Sequence, residues 1–246
     1  VLARRHFAES PLGAINVSFG LAFGAALGID AYLPIYVRGG LGGTAALAAF
    51  SVAFLTVGWT AGSIMATRLL MRLTETAVAL VGFGFLIPPF IVGLVAYDAR
   101  TPGGLVFTMA WIVGVGVGIL SMAMLNLLYS RSDPNEAGRA SAAHQYLRGL
   151  FHTYAAAMAG AILLVVVHRR LGDVEAVRRL LAGQSVGDAN VGGAVAMGFR
   201  VAHVVPLTFA IGGAAMAVAL HGRQGQTWRR STVTTSGSAP TPAKNA

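Results

Sequence analysis

Four residues in this sequence carry side chains that could move a proton or hold a charged ligand within long apolar runs: Asp30, His144, Arg148 and His152. The last three recur at intervals of four, so on a helix they stack along one face. An ionised side chain inside a lipid-spanning segment is costly, and it normally turns toward a bundle interior or a water-filled path. Histidine changes charge near neutral pH, so His144 and His152 on either side of Arg148 suit a proton relay. Asp30 lies on another segment and can oppose Arg148 across a cavity. Protonation of the acid would then release the pair and change which face opens. Two plainer readings stand beside these. Asp30 can sit at an interface within reach of water, and Arg148 can extend its stem along apolar surface to place its guanidinium at the cytoplasmic boundary.

The segment that must position Asp30 reads GLAFGAALGIDAYLPIY, from Gly20 to Tyr36. Gly20, Gly24 and Gly28 repeat every four residues and leave one helix face without side chains, so that a second helix can approach closely. Pro34 then interrupts the hydrogen-bond ladder and frees a backbone carbonyl. A close-packing face, an acid and a helix break in one segment are expected of a helix that lines a polar path.

Composition sets the surroundings. Of 246 residues, 55% are hydrophobic and 11% charged, with a mean hydropathy of +0.68. Soluble domains carry about 25% charged residues, so this chain is read as an integral membrane protein of the all-α class. Cysteine is absent, which excludes disulfides and thiolate chemistry. The net charge of +9 comes from arginine and a single lysine, Lys244. Those arginines punctuate apolar runs without interleaved aromatics, so they are assigned to lipid contact and orientation rather than to nucleic acid. The arginine bias and the Ala/Gly/Val richness fit a bacterial genome rich in G and C. No cleavable signal peptide is read before the first apolar run. Val1 in place of Met is expected of a fragment or of a non-standard start codon.

With the charges as punctuation, six spans emerge, at about 12–37, 44–66, 76–97, 103–129, 141–167 and 200–220. Gly58 and Gly62 give the second another small-residue face, and Pro88 and Pro89 are expected to bend the third. Between the fifth and sixth spans lies a loop at 168–198, in which DVEAVRRLLAG reads as a short amphipathic helix on the lipid surface. Residues 221–246 read as a disordered tail. An even number of crossings puts both termini on one side, and that side holds the larger share of arginine. The termini are therefore expected in the cytoplasm, with the basic loop counting against this orientation.

Several chemistries lack their parts. The sequence has no phosphate-binding loop. His144 and His152 have a cation between them rather than an acidic partner, which disfavours a metal site, and the serines have no evident base. No cofactor and no enzymatic activity is expected. Trp59 and Trp111 could line a substrate cavity or simply pack. His203 is read as interfacial.

Three stretches resemble the C-terminal half of a major facilitator superfamily transporter, most closely the fourteen-helix drug:proton antiporter branch. They are YLPIYVRGGLGGTA (Tyr32 to Ala45), VGWTAGSIMATR (Val57 to Arg68) and NEAGRASAAHQYLRG (Asn135 to Gly149). The likeness covers residues 1–220. The family's cytoplasmic loop motif is degenerate at Gly62 to Arg72, where Ala66-Thr67 stands in place of its acidic residue. The resemblance implies a six-helix bundle forming half of a carrier in the cell membrane. It implies proton-coupled efflux of small drug-like or metabolite molecules, apolar or cationic in character. Its partners would be the lipid bilayer, the substrate, and a missing N-terminal half or second membrane subunit. The competing expectations are a truncated or non-transporting scaffold that pairs with another membrane subunit, and an intramembrane enzyme using His144 and His152.

Overall fold

A computed structural model describes residues 11–172 and 189–236, the side chains of 189 and 223–236 excepted. Among the described residues the structure is entirely helical. α1 spans Leu12–Asp30, α2 Leu33–Ile35, α3 Ala45–Leu70, α4 Glu75–Ala96, α5 Gly103–Arg131, α6 Ala137–Leu171, α7 Ala189–Ala202 and α8 Val204–Ser236. A π-helical turn, Tyr36–Gly40, follows α2, and a 3-10 turn, Pro134–Glu136, precedes α6. Six crossings are long and apolar enough for a membrane: α1 through the π turn, α3, α4, α5, α6 with its 3-10 turn, and α7 joined to α8.

Local chemistry sets the ends. Thr44 and Thr74 cap α3 and α4, each side-chain oxygen accepting from a backbone N–H three residues on. Gly172 ends α6 in the left-handed region, φ 64°, and its N–H returns to the His168 carbonyl at 2.9 Å. Pro88 and Pro89 lie within α4, which remains one helical element across them.

α1 is the centre of the bundle, packed against α5, α6 and α8. Its apolar window is 72% buried, against 28% for α3 and for α6. Ser18 on α1 donates to the Gly213 carbonyl of α8 at 2.8 Å. The glycines set the helix spacing. A methyl group at Gly58 or Gly62 would meet the carbonyls of Trp111 and Val115 on α5, while one at Gly114 or Gly118 would meet those of Leu55 and Trp59 on α3. The two backbones therefore touch through a reciprocal seam. Gly20, Gly24 and Gly28 face α6 in the same way, against the Phe151 ring, the Phe151 carbonyl and Ala155.

Three boundaries differ from the sequence reading. The loop expected at 168–198 is shorter, because α6 continues to Leu171 and α7 starts at Ala189. The glycines of VGGAVAMGF look like loop residues, yet Gly198 sits against the Leu163 carbonyl of α6, where a methyl group would lie 2.9 Å away. The sixth crossing accordingly runs over Asn190–Gly222 rather than 200–220. α8 extends to Ser236, where disorder is expected from 221; no proline interrupts the chain between Pro206 and Pro240. The expected amphipathic helix, and the tail beyond 236, lie outside the described residues.

Candidate functional site

Asp30 is the last residue of α1, and Pro34 explains why. Proline has no N–H to offer the Asp30 carbonyl four residues back, so the chain turns at Ala31-Tyr32 before resuming as α2. The carboxyl oxygen Oδ1 of Asp30 is buried with no hydrogen-bond partner. Asp30 lines a cavity of about 30 Å³, room for one or two waters. Leu55, Phe90, Tyr97, Met109, Phe199 and His203 also face this cavity.

His203 is the residue that sequence reasoning misplaces. It is not interfacial but 4% exposed, at the break between α7 and α8. Pro206 lies three residues on, and this proline was the available signal for a broken helix. The Nδ1–H of His203 donates to the Phe199 carbonyl at 2.8 Å. The opposite edge of the ring lies against Gly93 of α4, where there is no side chain to collide with it. Aromatic residues wall it in. Tyr97 and Phe199 present edge-on contacts at 5.2 and 4.7 Å, and Tyr36 stacks on both of them.

The His144/Arg148/His152 stripe of α6 packs along α1, which answers it with Asn16, Phe19 and Phe23 at helical spacing. His144 is buried. Its Nδ1 donates to Asn16 Oδ1 at 2.8 Å, and its ring stacks on Phe19 with centroids 4.3 Å apart. Arg148 is half-buried, its guanidinium 4.6 Å above the centre of the Phe23 ring. His152 is half-buried and approaches the same ring edge-on at 6.3 Å. Trp59 of α3 also meets Phe23 edge-on, with centroids 5.6 Å apart. Trp111 is exposed on α5.

Asp30 and Arg148 are not opposed across one cavity, and no ion pair joins them. Arg148 meets α1 at Phe23, seven residues before Asp30, or roughly 10 Å along the helix axis. The acid thus belongs to a cavity lined by α1, α3, α4, α5 and α7. The cation belongs to an aromatic wall formed by α1, α3 and α6. Among the described residues no group of three His, Asp or Glu side chains is placed to hold a metal ion.

No protein-family model matches the chain, and no curated protein matches it. Among solved structures it is similar to the crystal structure of a bacterial homologue of the human lysosomal transporter Spinster, captured inward-facing and occupied. The TM-score is 0.58 at 20% identity, over 88% of this chain and 50% of that one. The fold is an all-helical bundle of six apolar crossings, similar to half of that transporter. The chain spans about half the length of the transporter it matches. In this six-helix bundle, the first crossing contributes to both candidate clusters. The second and fifth crossings, α3 and α6, leave most of their surface uncovered. The chain is a multi-pass membrane protein.

Proposed function

We propose that this chain forms half of a secondary active transporter that exports small molecules in exchange for protons across the cell membrane, with both termini in the cytoplasm. The observation that carries this reading is Asp30, half-buried, with one buried, unpartnered carboxyl oxygen beside a cavity large enough for water. Such a group is costly to maintain at depth in hydrocarbon and is retained where function uses it. Binding and release of one proton there, as the cavity opens to one side and then the other, would link proton movement to a change of conformation. The drug:proton antiporter branch is the form of this chemistry that the sequence motifs favour.

The surface supports a second bundle as partner. The uncovered faces of α3 and α6 carry Thr56, Thr60, Gln145, Tyr146, Thr153 and Tyr154. The threonines return their hydroxyls to their own helix backbones, but a glutamine and two tyrosine hydroxyls are poor company for acyl chains. They suit a wet passage shared with another six-helix unit. Pro34 and the Pro88-Pro89 pair would serve as bends in its walls.

The test is proton flux in liposomes that contain the chain, alone and joined to whatever apolar segment is encoded upstream of Val1. Dye-reported proton movement that D30N abolishes supports the reading. Absence of flux in both preparations, with stable capture of another membrane subunit, would establish the scaffold instead.

A further inference from the structure

The aromatic wall has a charge character that the sequence motifs do not predict. Arg148 lies over Phe23 with no carboxylate within ion-pair distance among the described residues. Asp30, the acid nearest to it along α1, is committed to the other cavity. His144 and His152, one turn to either side, bring no negative charge to the wall. Phe23 backs the guanidinium from within the core, and the half-buried Trp59 beside it supplies accessible apolar surface. Arginine is always ionised and presents a planar fork of donors, and cation–π contact with one face leaves its edge donors free to bind. A cation without a counter-ion, set among aromatic rings, attracts a negative headgroup whose body can lie along Trp59. It repels a positive one.

We propose that the wall formed by Phe23, Trp59, Arg148 and His152 binds organic anions: a sulfonate, carboxylate or phosphate ester carried on an aromatic or hydrocarbon body. This rests on the carrier reading and names its substrate class, replacing the apolar or cationic class implied by the sequence motifs. The ligand headgroup sits at the Arg148 guanidinium, and its body lies along Trp59, with Phe23 buried behind both. Because Asp30 stands roughly 10 Å away along α1, substrate and proton occupy separate places.

Trp59 provides the readout, since W111F and W228F remove the other two tryptophans. The full chain in uncharged phosphatidylcholine nanodiscs is titrated with naphthalene-2-sulfonate and with naphthyl-trimethylammonium, which share one ring system and differ in charge. Empty discs are subtracted. The sulfonate is expected to quench Trp59 at a concentration at least tenfold lower than the ammonium. R148Q should bring the two within about threefold, and R148K should keep the preference. Equal affinities, a preference for the ammonium, binding of neither probe, or a preference that survives R148Q would each overturn the proposal. The comparison of the two probes on the W111F/W228F chain with Arg148 intact decides the matter even where R148Q fails to fold. Proton flux is measured separately, so ammonium preference with D30N-sensitive flux would remove the anion class and leave the carrier.

Discussion

Arg200 Nε donates to the Leu94 carbonyl at 2.8 Å, tying α7 to the last turn of α4. The bond answers a specific deficit. α4 ends at Ala96, and the Asp98 N–H that would continue its ladder is taken by Thr101 Oγ1 at 2.8 Å. A cation at a helix C-terminus also complements the helix dipole. R200A should therefore lower stability by about 1.5–3 kcal/mol, the range for a hydrogen bond to a charged group. R200K should recover part of it. Thermal unfolding in detergent, followed by helical circular dichroism, checks both.

Removing charge at Asp30 should separate stability from activity. D30N keeps the shape and removes the ionisable group. The expectation is a melting temperature equal to or above that of the parent, together with loss of proton flux, as for other groups retained for function at the expense of stability. A marked fall in melting temperature for D30N would mean that Asp30 is structural.

The α3–α5 seam makes a sharper structural prediction. G62V or G114V places a branched side chain against a facing carbonyl, Val115 in one case and Leu55 in the other. Backbone cannot yield as a flexible side chain can, so each substitution should cost about 1–3 kcal/mol or more. G84V, at a position with open space around its Cα, should cost well under 1 kcal/mol from packing. Comparing the three melting curves tests whether contact, rather than loss of glycine, is what matters.

Asn16 and His144 should be energetically coupled. N16L leaves the buried His144 N–H without its amide acceptor and should cost about 1–3 kcal/mol. H144F keeps a ring stacked on Phe19 and removes the donor to the Asn16 amide oxygen instead. The double variant N16L/H144F should be less damaging than the sum of the singles by about 1 kcal/mol, read as a double-mutant cycle on chemical denaturation.

The helices were legible because hydrocarbon demands long apolar segments with charges at their ends, and the arginines mark those ends. Gly20, Gly24 and Gly28 were legible as a face because a period of four on a helix has one geometric meaning. Distances between helices were not. Asp30 and Arg148 are the scarce charges of two spans, and scarcity alone paired them. The register of α6 against α1 decided otherwise, and one sequence does not encode that register locally. His203 and α7 were misread for a related reason. Glycines that let α7 approach α6 have the same composition as glycines in a loop, and only the facing carbonyls distinguish the two.

The reciprocal seam between Gly58/Gly62 and Gly114/Gly118 has a mechanical consequence. The two helices run parallel with their backbones interlocked, so neither can roll without driving its own carbonyls into the other. They travel as a single plank. Any rocking of this plank would be passed to the rest of the bundle through the short leads at its four ends, among them Gly42, whose φ of 68° lies in the left-handed region, and Pro102, which precedes α5.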